Sequence, residues 1–212
     1  MGMRKPGYEA KRRNAYNRQP KKVIVIAAEG KNKTESLYFK KFNSNKLRVH
    51  IAKGRATDPV NLVKELDHEC KYQEVDFDQG DVAFCLIDSD FDNKKDEKIH
   101  LADQMAKEKR IQLFVSSPCF EEWIICHFKY STRQFNSNDE VLKEVQNLIP
   151  GYTKARDDIY EQLLDKQEKA VENAKKLERY HLNNHRTTHT VAFSPSTEIY
   201  KAIEKIKEIN NT

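Results

Sequence analysis

The chain reads as an α/β protein with a parallel four-stranded sheet flanked by helices over residues 22 to 117, continued by a C-terminal helical extension over residues 118 to 212. Three observations predict this. The runs "KKVIVIAA", "DVAFCLI" and "IQLFVSS" are continuous apolar or β-branched blocks, as expected of strands covered on both faces. Helical patterns separate these runs, which is the alternation that builds a parallel sheet through right-handed crossovers. After Ser117 the strand-like runs stop and only helical patterns follow.

Taken in order, residues 1 to 22 hold eight Lys or Arg and one Glu, with Arg12 and Arg13 at the centre of "KRRNAYNRQPKK". This arm, residues 1 to 21, reads either as a flexible, solubilising tail or as a basic segment lying on a nucleic-acid backbone. The first strand runs into Glu29, Gly30 and Lys31. A helix is predicted over residues 34 to 42, with Thr34 as its cap and Leu37, Tyr38 and Phe42 as its apolar side. "LRVHIAKG" is the second strand. "DPVNLVKELDHECKYQ" carries Asp58 as cap, Pro59 at the first helical position, and Val60, Val63 and Leu66 facing inward. "DVAFCLIDSD" is the third strand, "KDEKIHLADQMAKEKR" a helix with Ile99, Met105 and Ala106 on its apolar side, and "IQLFVSS" the fourth strand. Beyond it come a short apolar helix in "PCFEEWIICHF", an amphipathic one in "NDEVLKEVQNLIP", a long one over residues 157 to 184, and a terminal helix behind a Ser-Pro-Ser-Thr turn.

The chain has 212 residues, 38% hydrophobic and 33% charged, so a core is feasible but not large. A net charge of +5 is compatible with a nucleic-acid partner without demanding one. No apolar run approaches the ~20 residues that span a bilayer, and the basic N-terminus lacks the apolar stretch of a signal peptide. Cys70, Cys85, Cys119 and Cys126 form no Cys-x-x-Cys pair. They are expected to be buried free thiols in a cytoplasmic protein rather than zinc ligands.

The chemistry gathers at the strand ends. The first strand ends at Glu29, the third at Asp88-Ser89-Asp90 with Asp92 two residues on, and the fourth just before Glu121 and Glu122. In an open parallel sheet these ends share one edge, so at least four carboxylates are expected in one cleft. Close carboxylates must protonate or be neutralised, and an oxygen-only set favours Mg²⁺ or Mn²⁺. Such metals serve phosphoryl transfer. The plainer alternatives are an Asp-rich turn with a helix cap at "DSDFDNKKDEK", and helix-start acids at Glu121 and Glu122. Glu29, a carboxylate delivered by an apolar strand, tips the balance, because burying such a charge is costly unless it is solvated, paired or metal-bound.

Gly30-Lys31 does not make a phosphate loop. Asn32 stands where Ser or Thr is required, and Val25, inside the strand, stands where the first glycine would be. A phosphatase with Asp-x-Asp on its first strand is also disfavoured, since that motif lies on the third strand here.

Glu-Gly after the first strand and Asp-x-Asp after the third resemble the Toprim domain. With "EGKNKTESLYF", "DSDFD", "SSPCFEEWIICHF", "GYTK" and "SPSTEIYKAIEKI", and with the basic arm before them, the chain resembles the RloB family of bacterial defence-associated proteins over residues 12 to about 206. Ser194-Pro195 replaces the family's usual Asn-Pro. The resemblance implies a Toprim-like, Mg²⁺- or Mn²⁺-dependent endonuclease working beside an ABC-type ATPase in antiphage defence. It implies Glu29 as acid/base or metal-linked glutamate and Asp88 and Asp90 as metal ligands, with Glu35, Asp92 and Glu121 as further candidates. Glu35 also reads as a solvent-facing helix residue.

Lys31 and Lys154 are candidates to neutralise a scissile phosphate, with ordinary surface charge as the alternative for both. Arg12, Arg13, Lys154 and Arg186 are the candidate nucleic-acid contacts. His181, His185 and His189 recur every four residues, but "NNHRTTHT" is poor helix material for a metal-binding face. Phe120, Trp123 and Phe128 are expected in the core. Two functions follow: a metal-dependent nuclease acting on DNA or RNA, tRNA included, or a non-catalytic regulatory subunit docking on an ATPase. A homo-oligomer is compatible with either.

Overall fold

A computed structural model of the chain describes residues 20–29, 34–54 and 56–211. Strand β1, Lys22–Ala28, leads to helix α1, Thr34–Lys40, and strand β2, Leu47–Ile51. Helix α2, Pro59–Tyr72, then strand β3, Val82–Asp88, helix α3, Lys94–Glu108, and strand β4, Gln112–Ser117, complete the alternating part. Helices α4, Glu121–Phe128, α5, Asn138–Leu148, α6, Ile159–Leu163, and α7, Gln167–Asn183, follow. A two-residue strand β5, Ser196–Thr197, and helix α8, Ile199–Asn211, end the described chain.

The sheet runs β2-β1-β3-β4-β5. The first four strands pair in parallel and β5 is antiparallel to β4, with Ser116 opposite Thr197 and Ser117 opposite Ser196. The expected four parallel strands are therefore present, and a fifth strand is added at the edge. The Ser-Pro-Ser-Thr segment, which reads as a turn, is that strand; two residues carry no periodicity to announce it.

Strand residues alternate between two apolar layers, as a pleated strand requires. Val25, Ala27, Ala83, Cys85, Ile87, Leu113 and Val115 pack with Leu62, Val63 and Leu66 of α2 and Ile99, Ala102 and Ala106 of α3. Ile24, Ile26, Phe84, Leu86 and Phe114 face the opposite way, into a cluster shared by α1 and by α4 to α8. The helices after β4 thus form the second covering layer of the sheet.

The α2 signals hold: Pro59 opens the helix and the Asp58 carboxylate accepts from the Asn61 amide at 3.2 Å. Helix α1 stops at Lys40, two residues short of the prediction, while Tyr38, Phe39 and Phe42 are buried. The long helix expected over residues 157 to 184 is broken by a 3₁₀ turn, Leu164–Lys166, between α6 and α7. Phe120 and Trp123 are buried in the core as expected, with Phe128 packed against it. All four cysteines are free and buried.

Candidate acidic cleft at the strand ends

Strand order reverses at β1, which lies between β2 and β3. Open α/β sheets bind their ligands at such switch points, outside the C-terminal ends of the strands. Glu29 follows β1, Asp88 closes β3, and Asp90 lies two residues on. Asp90 adopts a left-handed conformation, φ 54°, tolerated by Asp better than by most residues. Its amide donates to the Pro118 carbonyl at 2.9 Å, and the Ser89 amide donates to the Ser116 carbonyl at 2.9 Å. The turn after β3 is thereby tied to the end of β4. Ser89 itself is fully buried, its hydroxyl donating to Ser117 Oγ at 2.7 Å.

Two further acids reach the cleft from first helical turns, where free backbone amides favour negative charge. Glu35 begins α1 and Glu121 begins α4; both are buried. Glu35 is no solvent-facing helix residue: it is 5% exposed, and its Oε2 is buried with no hydrogen-bond partner. Glu121 Oε1 lies 3.3 Å from the Tyr152 hydroxyl, which donates to it, and 3.3 Å from Lys154 Nζ. The "GYTK" segment is held against α1 by the Ala155 amide, which donates to Thr34 Oγ1 at 2.9 Å.

The electrostatics mark these acids as one group. Asp88 is driven well above the ordinary carboxylate range by burial, and then by the charges of Glu35, Glu121, Glu29 and Asp90. Glu35 is pushed up to about 7 by burial and the Glu121 charge, with its own amide and Lys154 acting the other way. Glu29 is also raised by burial, against the pull of Lys95. Negative charge here exceeds what the neighbouring protein neutralises.

Lys95, in the first turn of α3, is a cleft residue that the sequence reading does not single out. Its Nζ donates to Glu29 Oε1 and Oε2 at 2.7 and 2.8 Å and to Asp90 Oδ2 at 2.7 Å. Burial disfavours the ammonium, but the bonds to Asp90 and Glu29 outweigh it and raise its pKa. The only signal in the sequence is a run of lysines, Lys94, Lys95 and Lys98, in which nothing distinguishes the one that turns inward.

The remaining candidates are placed as follows. Asp92 is exposed and bonds the Lys94 amide at 3.0 Å, at the start of α3. Lys154 lies in the cleft beside Glu121. Arg186 lies elsewhere, with Nη1 3.0 Å from His181 Nδ1 and 3.4 Å from the Ser194 carbonyl. Arg12, Arg13 and Lys31 lie outside the described residues. His181, His185 and His189 do not share a helix face: α7 ends at Asn183, His185 and His189 have positive φ, and His181 is buried on the Pro195 carbonyl.

Among the described residues, no group of three or more His, Cys, Asp or Glu side chains is arranged to hold a metal ion. The donor chemistry nonetheless suits a hard divalent cation: oxygen ligands only, Asp88 and Glu35 raised by burial and by neighbouring carboxylate charge, and a buried Glu35 oxygen left without a partner. No helix among the described residues is long and apolar enough to cross a membrane.

Neither a curated protein nor a solved structure matches the chain significantly. A family model described as RloB-like protein matches residues 24–206, a span that contains every cleft residue named above. The chain belongs to the RloB-like protein family.

Proposed function

We propose that the chain is a metal-dependent nuclease of Toprim type, hydrolysing phosphodiester bonds in DNA or RNA, and that it serves as the effector of a bacterial antiphage system beside an ABC-type ATPase. The observation that carries this reading is the gathering of Glu29, Glu35, Asp88, Asp90 and Glu121 at the switch point of the sheet, with Asp88 raised by burial and the Glu35 charge and Glu35 raised by burial and the Glu121 charge. RloB-like membership supports the defence setting.

Glu29, Asp88, Glu35 and Glu121 would hold Mg²⁺ or Mn²⁺, with Asp90 beside them. When bound, such a cation offsets charge on the phosphate oxygens and lowers the pKa of water. The chain's own residues supply the rest. Lys154 and Lys95 bring positive charge to a cleft that would otherwise repel a polyanion. Tyr152 and Lys154 fix the Glu121 carboxylate in position. The basic segment around Arg12 and Arg13, together with Lys31, adds sequence-level affinity for a nucleic-acid backbone.

One observation favours a second reading, a non-catalytic subunit regulating an ATPase. The described acids form no ready-made metal group, and two lysines already partly neutralise them. The test is direct. The protein is incubated with DNA, RNA and tRNA in Mg²⁺ or Mn²⁺, beside Asp88→Ala and a chelator control. Cation-dependent cleavage that Asp88→Ala abolishes is expected. Cleavage surviving either the substitution or the chelator would overturn the nuclease site, and absence of cleavage with the ATPase present would favour the regulatory subunit.

A further inference from the structure

The two halves of the cleft are neutralised unequally. At one, Glu29 and Asp90 share Lys95, whose ammonium sits 2.7 Å from both carboxylates and whose side chain is 11% exposed. At the other, Glu35, Asp88 and Glu121 have, among the described residues, one cation, Lys154, which is 3.3 Å from Glu121, and Glu35 Oε2 has no hydrogen-bond partner. The first half is closed by a cation the protein carries itself; the second is short of one.

We propose that Lys95 is a built-in competitor for the divalent cation, so that the cleft takes up a cation first at Glu35, Asp88 and Glu121, and at Glu29 and Asp90 only when the ammonium moves aside. This rests on the reading of the cleft as a cation site. Geometry favours Lys95 for the role over its neighbours. Lys94 is exposed, and Lys98 pairs with Asp58 at 3.0 Å on the outside of the fold. Lys95 alone of the three reaches the cleft, from a helix whose position is fixed by buried Ile99, Ala102 and Ala106. A lysine suits a displaceable plug: its ammonium is a point charge on a flexible stem, whereas an arginine fork would lock onto both carboxylates. Once displaced, the ammonium stays on the same short tether and can meet a phosphate oxygen at the cleft mouth. Until a cation displaces it, the ammonium offsets one of the two negative charges of the Glu29–Asp90 pair.

The experiment is a calorimetric Mn²⁺ titration of the full chain without nucleic acid, at fixed pH, for the wild type, Lys95→Met and Lys95→Arg. The wild type is expected to show a tighter and a weaker phase. Lys95→Met should tighten the weaker phase about tenfold or more, within the range of coupled sites, and Lys95→Arg should not. Identical isotherms for wild type and Lys95→Met would overturn the competition while leaving the cation site intact. No Mn²⁺ binding by the wild type would overturn the cation site itself. A second measurement needs no substitution. Amine acylation of the wild type, read by mass spectrometry, should label Lys95 more heavily when Mn²⁺ is added. Unchanged or reduced Lys95 labelling under conditions where Mn²⁺ binds would equally overturn the proposal.

Discussion

Two carboxylate sites of the molecule are built on opposite principles. At the outer edge of the sheet, Glu198 follows β5 and is fully partnered. Its Oε2 accepts from the Val115 amide at 3.0 Å and lies 3.0 Å from His189 Nε2, and its Oε1 accepts from Lys201 at 2.6 Å. Burial alone would raise Glu198, but His189 and Lys201 overcome it and hold its pKa at about 2. At the switch point the balance is reversed: Asp88 and Glu35 are buried among other acids and are raised. A carboxylate supplied with every partner it needs is a clip, joining β5 and α8 to β4. Carboxylates left short of partners cost stability in the free protein. Retaining them makes sense if a ligand outside the chain completes them.

The largest effect should appear in activity. Asp88→Asn removes an acid raised well above the ordinary carboxylate range and should lower cleavage by at least ~10²-fold, because even groups that only support metal ligands cost 10–100-fold. The same substitution should leave the free protein as stable as the wild type or more so at pH 8, which thermal unfolding in chelator would show. A large stability loss would place Asp88 with the structural clip instead.

Next is the clip itself. Glu198→Ala leaves His189 and the Val115 amide without this partner, while Lys201 keeps Glu178 at 2.9 Å, and should cost about 3–5 kcal/mol, as breaking a buried pair by removing one partner does. Urea unfolding checks it, and a loss under ~1 kcal/mol would dissolve the distinction between the two sites.

The two sites should also tilt stability against pH in opposite directions. Glu35 has a folded-state pKa raised from 4.5 to about 7, so the folded state binds the extra proton. Its contribution is fully present below pH ~4.5 and is lost as the pH rises through ~7, worth about 3 kcal/mol. Glu35→Gln should therefore be more stable than wild type in chelator at pH 8 and nearly equal to it at pH 4. Glu198 is lowered from 4.5 to about 2. Its contribution of about 3 kcal/mol is present above pH ~4.5 and is lost as the pH falls towards 2. Chemical denaturation of Glu35→Gln and Glu198→Gln between pH 3 and 8 would separate the two slopes; parallel curves would contradict the assignment.

The smallest effect sets the baseline for charge pairs outside both sites. Lys107 is 73% exposed and bonds Asp103 one helical turn away at 2.6 Å. Lys107→Ala should change stability by no more than about 0.5 kcal/mol, as exposed pairs of this spacing do.

Most of the sheet and part of the cleft were legible in the sequence, for identifiable reasons. β1, β3 and β4 are covered on both faces, so their sequences are largely apolar runs, the first two leading into acids, and the convergence of Glu29, Asp88 and Asp90 follows from parallel pairing. β5 was not legible because two residues carry no period, and Pro195 beside them suggests a turn. The depth of Glu35 was not legible either. A Thr-Glu-Ser opening looks polar, yet tertiary packing leaves Thr34 and Glu35 both buried. Lys95 was hidden in a charged run, where nothing distinguishes the lysine that turns inward to Glu29 and Asp90. Lys154 was identified from "GYTK", but its partner, Glu121, lies 33 positions away and is set by tertiary structure alone.

The central claim is that the switch-point acids are incomplete without a cation and the Glu198 site is complete without one. Thermal unfolding of the full chain, titrated with Mn²⁺ at pH 7.5 beside Asp88→Asn, tests it most directly. The account predicts a saturable rise in unfolding temperature for the wild type that Asp88→Asn abolishes and Glu198→Gln retains. An unfolding temperature indifferent to Mn²⁺, or one that rises equally in Asp88→Asn, would contradict it.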